Sequence, residues 1–386
     1  MEIKQIYTLI NSVTNEVLGK SDLVTEDLTG VVDLGTEVFN ANAVDNYVKS
    51  LVNHIGKVVF VNRSYAGKVP SVLMNSWEFG SVLEKISADL PVASENATWE
   101  LEDGTDYSQD VFHKPIVTAK FFNSKVTFEV PVSITERQVK ESFSSAEQLN
   151  GFISMIYNAV EKSMTIKTDA LIMRTINNMI AETLNADAAA FGNDYSSAST
   201  VRCVNLLKLY NDNYKKTLTA KEAMTNEEFI RFASYKIGLY TDRLQSISSL
   251  FNIGGKERFT SKDMLHVILL SDFAKAAQTF LYSNVYNKED LLLPNAETVP
   301  AWQATGKDYD FDNVTKIDVK SAGGANISIK GVIGVMFDRD ALGVCNTDRR
   351  VTTNYNAKAE FFNNYYKFDA SYFNDTNENF IVFFVA

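Results

Sequence analysis

Three histidines, two cysteines and one acidic run are the side chains here that could carry chemistry. A nucleophile needs a base within hydrogen-bond reach, and that base is most often histidine. His54 falls on an expected helix, His113 in an expected loop and His266 in a strand-like apolar run. No local motif joins any of them to a Ser or Cys, so no catalytic residue is assigned. Cys203 and Cys345 lie far apart and outside any metal-ligand spacing. Two lone thiols fit a reducing compartment rather than a disulfide scaffold.

Asp308-Tyr309-Asp310-Phe311-Asp312 has the alternation that opens a calcium loop. Such a loop also needs Gly at its sixth position and a bidentate Glu at its twelfth. Asn313 and Val319 stand there, so the run reads as a solvated acidic turn. Gly254-Gly255-Lys256 lacks the rest of a phosphate-binding loop and reads as a turn. The expected site list is therefore empty: no catalytic residue, no cofactor, no metal, and no enzyme.

Composition says what kind of body carries these residues. A chain of 386 residues is long enough for two or three cores, since one core rarely grows past roughly 250–300 residues. Hydrophobic residues make 45% and charged residues 22%, which excludes disorder for the whole. The net charge of −11 repels phosphate backbones and argues against sequence-specific nucleic-acid binding. Met1-Glu2-Ile3-Lys4 is followed by no apolar signal segment, and no run approaches the ~18 apolar residues of a membrane span. The sequons at Asn96 and Asn326 read as chance.

Periodicity gives the elements. Residues 1 to about 35 read as an arm with little core of its own. Val44, Tyr47, Val48, Leu51, Val52 and Ile55 have helical spacing within Asn40–Phe60. Ile116–Phe122 and Lys125–Ile134 read as strands, the second alternating through Val126, Phe128, Val130, Val132 and Ile134. Together they suggest a projecting hairpin, with Asp103-Gly104 as a further turn signal. An isolated hairpin is marginal in water, so another surface must support it.

Ser144-Ser145-Ala146-Glu147 is a capping box, and an apolar stripe follows it from Leu149 to Leu184 without a proline. One helix of that length would span ~60 Å, against ~10–14 residues for an ordinary helix. The alternative is two helices with a break near Thr165–Thr168. Thr225-Asn226-Glu227-Glu228 is a second capping box, opening a helix through Ile247. Met264–Leu270 reads as a buried strand, with Ser271-Asp272 capping the next helix. Leu291–Thr315 is loop-like. Val314–Lys320, Ile327–Ile329, Gly331–Phe337, Arg350–Tyr355, Phe361–Phe368 and Phe380–Val385 read as strands. The class is α+β.

In this order the elements resemble the Hong Kong 97-type major capsid subunit of tailed bacteriophages: a projecting strand pair, a very long helix, a helix-rich domain, then returning strands. Met264-Leu265-His266-Val267-Ile268-Leu269-Leu270-Ser271-Asp272-Phe273 resembles the strand-to-helix step of the axial domain. Gly331 to Gly343 looks like the segment leading back to the peripheral domain. Thr352-Thr353-Asn354-Tyr355-Asn356, Tyr365–Tyr372, Asn379 and the apolar strand after it are similar to the end of many such subunits. The resemblance covers roughly residues 40–386 and rests on element order, not on an invariant motif.

It implies five regions. Residues 1–62 would be the N-terminal arm and first helix, and 63–143 the extended β-hairpin loop lying over a neighbouring subunit. Residues 144–199 would be the peripheral domain with its spine helix, 200–335 the axial domain, and 336–386 the return strands. The resemblance also implies a subunit that self-assembles into hexamers and pentamers of an icosahedral or prolate head around double-stranded DNA. Its implied partners are further copies of itself, a separate scaffolding protein, a portal protein and DNA contacted non-specifically, with no membrane. A separate scaffold is expected because the stretch before the loop is short for a cleaved internal one. Assembly would occur in the host bacterial cytoplasm, and the product would be the virion. Lys114, Lys120 and Lys125 could form covalent cross-links as in some relatives, but the required acid–Asn site is not visible. The alternatives are an encapsulin-like compartment shell and another virion component, such as a tail protein.

Overall fold

A computed structural model describes residues 3–20, 69–74, 83–91, 100–106, 112–135, 146–191, 194–198, 200–247, 258–282, 296–303, 311–320 and 326–386, with isolated positions between them. The chain divides into two compact units, each assembled from three segments. The first takes residues 1–78, 125–172 and 344–371, and the second residues 79–124, 173–343 and 372–386.

In the first unit, α1 (Ile3–Leu18) buries Ile10, Val13 and Thr14. This differs from the core-poor arm expected there. Ile3, Ile6, Ile10, Val13 and Val17 step by three and four, which places them along one helical face. The Thr14 hydroxyl closes on the Ile10 carbonyl at 2.7 Å, and Ser50 donates to Glu16 at 2.5 Å. The helix expected at Asn40–Phe60 lies almost wholly outside the described residues.

The same unit holds a sheet of order β1-β11-β12-β4. Its strands are β1 (Leu73–Met74), β4 (Lys125–Thr135), β11 (Leu342–Asn356) and β12 (Phe361–Asn374). The alternation read in β4 is real: from Lys125 to Ile134 its even-numbered residues turn inward and its odd-numbered ones outward. Its partner is β12, antiparallel from Phe361 opposite Thr135 to Ser371 opposite Lys125. Phe128 and Phe368 meet across this ladder with ring centroids 5.1 Å apart. The expected hairpin between residues 116–122 and 125–134 is therefore not formed. Period-two alternation fixes which face a strand buries, not which strand it joins. β11 turns into β12 through Asn356, whose side chain accepts from the backbone N–H groups of Lys358 and Ala359.

The long helix, α2 (Ala146–Asp187), runs unbroken for 42 residues. Ser144 and Ser145 lie outside the described residues. At the expected break, the Thr165 and Thr168 hydroxyls donate to the Glu161 and Met164 carbonyls, both at 2.9 Å. Back-bonding to the i−4 carbonyl lets threonine stay inside a helix. Ile156, Val160, Met164 and Thr168 bury a narrow i+4 stripe. From Leu171 to Leu184 the burial widens to most of the circumference.

The second unit is built on a five-stranded sheet of order β5-β13-β10-β6-β7. These strands are β5 (Cys203–Asn205), β6 (Leu265–Leu270), β7 (Ala296–Val299), β10 (Val332–Asp338) and β13 (Phe380–Phe384). β13 runs antiparallel to β10 over its whole length and parallel to β5 at Val382–Phe384, so this buried strand is paired on both edges. Helices α3 (Leu206–Tyr214), α5 (Glu227–Leu244) and α6 (Ser271–Tyr282) supply Tyr210, Phe229, Ile237 and Phe273 to the core with Met336 and Phe383. Between them, α4 (Ala220–Ala223) carries the capping box, made by Thr219 and Glu222. The box expected at Thr225–Glu228 is not one: the cap of α5 is Asn226, whose side chain accepts from Phe229 N–H at 2.9 Å. The segment expected to be a loop at Leu291–Thr315 contains β7 and a short helix, α7 (Phe311–Val314). β8 (Ile317–Lys320) and β9 (Asn326–Ile329) form a separate antiparallel pair.

Candidate functional site

Among the described residues, those singled out for chemistry do not come together. His54, Asp308 to Asp310 and Gly254 to Lys256 lie outside the described residues. Phe311 and Asp312 open α7. His113 is exposed. His266 sits half-buried on β6, its ring centroid 5.8 Å from that of Phe337, and burial lowers its pKa while Glu297 pulls the other way. Cys203 and Cys345 are both buried, and burial pushes the Cys203 thiol up to about 12, which suppresses the thiolate. Among the described residues no group of three or more His, Cys, Asp or Glu could hold a metal, and no helix is long and apolar enough to cross a membrane. Lys114 and Lys125 are exposed. Lys120 is engaged in an ion pair.

That ion pair belongs to a polar cluster of the second unit. β2 (Leu83–Ala88) and β3 (Val117–Phe122) form a two-stranded antiparallel ribbon, with Asp89 N–H donating to the Ile116 carbonyl just beyond it. Leu83 faces Phe122, Lys85 faces Lys120 and Ser87 faces Thr118 across the ladder. Side chains alternate along a strand, so these six share one side of the ribbon. Glu84, Ile86 and Ala88 share the other with Val117, Ala119 and Phe121.

The first side is pinned. The Phe122 and Phe373 ring centroids are 5.3 Å apart. Lys120 Nζ reaches Asp375 Oδ1 at 2.8 Å, and Lys85 Nζ reaches Asp375 Oδ2 at 3.2 Å. Lys85 also donates to Glu378 Oε1 at 2.6 Å and to the Asp340 carbonyl at 3.0 Å. Arg258 pairs with the same Glu378 oxygen at 2.8 Å. Asp375 and Glu378 sit in the turn between β12 and β13, which the Asp375 N–H ties to the Ala341 carbonyl at 2.7 Å. Below them Thr260 donates to Asp338 Oδ2 at 2.7 Å and accepts from Asn379 Nδ2 at 3.0 Å.

The carboxylates respond oppositely. Burial alone would raise the Asp375 pKa. Hydrogen bonds from Lys120 and the Asn377 N–H, and the charges of both lysines, outweigh it and hold the group below its ordinary value. Burial raises Asp338, against hydrogen bonds from Asp340 N–H and Thr260, and the Glu378 and Asp340 charges push it the same way. What the cluster does is fix the ribbon.

The second side of the ribbon is bare. Ile86 and Phe121 are each 64% exposed and Val117 57%. Exposed apolar patches are a common feature of surfaces that contact other proteins.

A family model described as the Phi29-like phage major capsid protein matches residues 10–384. The chain belongs to this family. As a phage major capsid protein it assembles with copies of itself into the shell of the phage head and is a component of the virion. No curated protein matches the sequence. Solved structures similar to it include the capsid of Staphylococcus phage Andhra, at 8% identity and TM-score 0.48, covering 84% of this chain and 86% of that one. A chain from a structure of the head fibre and inner core protein of bacteriophage P68 has 8% identity and TM-score 0.49, covering 85% and 86%. A chain of the bacteriophage PhiM1 mature capsid has 8% identity and TM-score 0.43, covering 84% and 89%. The family assignment rests on the family model.

Membership of a capsid family favours the phage shell over a compartment shell or a tail component. The residues that organise the ribbon were not foreseen. Lys85 and Lys120 occupy inward positions of their strands, where an apolar residue is the rule.

Proposed function

We propose that this capsid subunit has the Hong Kong 97-type organisation and builds hexamers and pentamers of an icosahedral or prolate head around double-stranded DNA. In this reading α2 is the spine of the peripheral domain within 144–199. Residues 200–335 include the axial domain that meets at capsomer centres, and 336–386 return to the peripheral domain. Residues 63–143 are the extended loop, and 1–62 reach another neighbour. The role is mechanical rather than enzymatic. A separate scaffolding protein, a portal protein and non-specifically contacted DNA are its partners, and assembly takes place in the host cytoplasm.

One observation carries the reading: the β2–β3 ribbon is held by ion pairs on one side and offers Ile86, Val117 and Phe121 on the other. A monomeric protein gains nothing from such a surface, whereas a shell subunit has neighbours to cover it. The acidic net charge of −11 is compatible with a wall that encloses DNA without gripping it. The test is negative-stain electron microscopy of the purified protein, alone and co-expressed with the scaffolding protein. Closed shells, tubes or capsomer rings are the expected products. Stable monomers in both samples would overturn the reading.

A further inference from the structure

We propose that the Asp375–Glu378 turn is an ionic latch that holds the β2–β3 ribbon docked and releases it when its charges are screened or removed. This goes beyond the assembly role, because membership of a shell says nothing about an internal docking equilibrium of the ribbon.

The argument begins with the ladder. Lys85 and Lys120 are direct cross-strand partners on the same side of the ribbon. Like charges directly opposite one another destabilise a strand pair. A two-stranded ribbon is itself marginal in water. The undocked ribbon therefore carries an internal repulsion and little to offset it. Docking removes this conflict at a single residue: Asp375 places one carboxylate oxygen on each lysine, at 2.8 and 3.2 Å. Glu378 holds Lys85 a second time and is itself held by Arg258.

The stoichiometry makes the device sensitive. Lys85, Lys120 and Arg258 are all held by Asp375 and Glu378, so losing either carboxylate removes two ion pairs at once. The Asp375 side chain is only 3% exposed, so its charge is poorly solvated apart from its partners. Lys120 remains 39% exposed, so salt in the medium reaches the pair. Screening shortens the range of such attractions to about 3 Å at about 1 M salt. The core strands β6, β10 and β13 hold together by apolar burial instead and do not share this sensitivity.

The experiment is hydrogen–deuterium exchange of the full, unassembled chain, comparing amides in 83–88 and 117–122 with those in 265–270 and 332–338. In the native protein, about 1 M sodium chloride should accelerate exchange in the ribbon about tenfold over low salt and leave the core strands unchanged. Asp375→Asn should accelerate the ribbon at low salt by a larger factor than the core strands. Adding Lys85→Met and Lys120→Met to Asp375→Asn should slow the ribbon again, because the repulsion is gone. Salt-independent exchange in the native ribbon would overturn the latch. So would ribbon and core accelerating by the same factor in Asp375→Asn, since the turn would then be ordinary structural support.

Discussion

A Cβ built on Gly331 would stand 2.0 Å from the carbonyl oxygen of Val385. The glycine also holds φ at +82°, where L-residues are strained, and its own carbonyl accepts from Val385 N–H at 2.8 Å. The close approach seats the end of β13 beside the start of β10. Gly331→Ala is expected to force these strands apart and to cost more than about 3 kcal/mol in chemical unfolding of the subunit. Gly324 has φ +83° but open space around it, so Gly324→Ala should cost only about 1–2 kcal/mol.

Phe383 lies on β13 with no exposure and meets Tyr240 edge-on at 5.5 Å. Phe383→Ala leaves a cavity between sheet and helices. A loss of about 3–5 kcal/mol is expected from denaturant midpoints. A loss below 1 kcal/mol would show that this sheet is not packed as described.

The continuous helix α2 is tested by two substitutions ten residues apart. Ile176 is fully buried and Ile166 is 65% exposed. Ile176→Asp buries an unpaired charge and should leave no folded subunit by circular dichroism and size exclusion. Ile166→Asp should change stability by less than about 0.5 kcal/mol. Similar behaviour of the two would contradict the burial pattern.

The two buried carboxylates give opposite pH dependences. The folded pKa of Asp375 lies below its unfolded value. Its contribution is therefore present above the unfolded value of about 3.9 and is lost as pH falls through the folded one. Asp338 is raised, so its ionisation costs stability as pH climbs from about 3.9 through the folded value. Asp375→Asn should lower the denaturation midpoint at neutral pH, with the gap to the native protein closing below about pH 4. Asp338→Asn should gain relative to the native protein as pH rises. Parallel curves for all three proteins would refute both assignments.

How much was legible follows from what kind of order each element carries. The long helix was readable because its apolar residues repeat without a proline, although its end lies at Asp187 rather than Leu184. The strand character of 125–135 was readable from Val126, Phe128 and Val130, but its partner was not. Alternation is a local property, and the choice of β12 over β3 is made by a ladder that spans more than 200 residues of sequence. The α1 helix was missed although Ile10 and Val13 already had helical spacing. The ionic cluster was illegible because its members, Lys85, Lys120, Arg258, Asp375 and Glu378, come from four distant stretches that only the fold brings together.

The exposed side of the ribbon separates folding from assembly. Phe121→Asp replaces a ring that is 64% exposed in the subunit. It should leave the unfolding midpoint within about 0.5 kcal/mol of the native value. It should also abolish particles in sedimentation and microscopy, because a charge would be buried at the contact.

The most direct measurement is a cryo-electron microscopy reconstruction of the assembled particles. The account expects Ile86, Val117 and Phe121 to be covered by a neighbouring copy of the chain, with Lys85 and Lys120 still on Asp375. A shell in which that side of the ribbon faces solvent would contradict it.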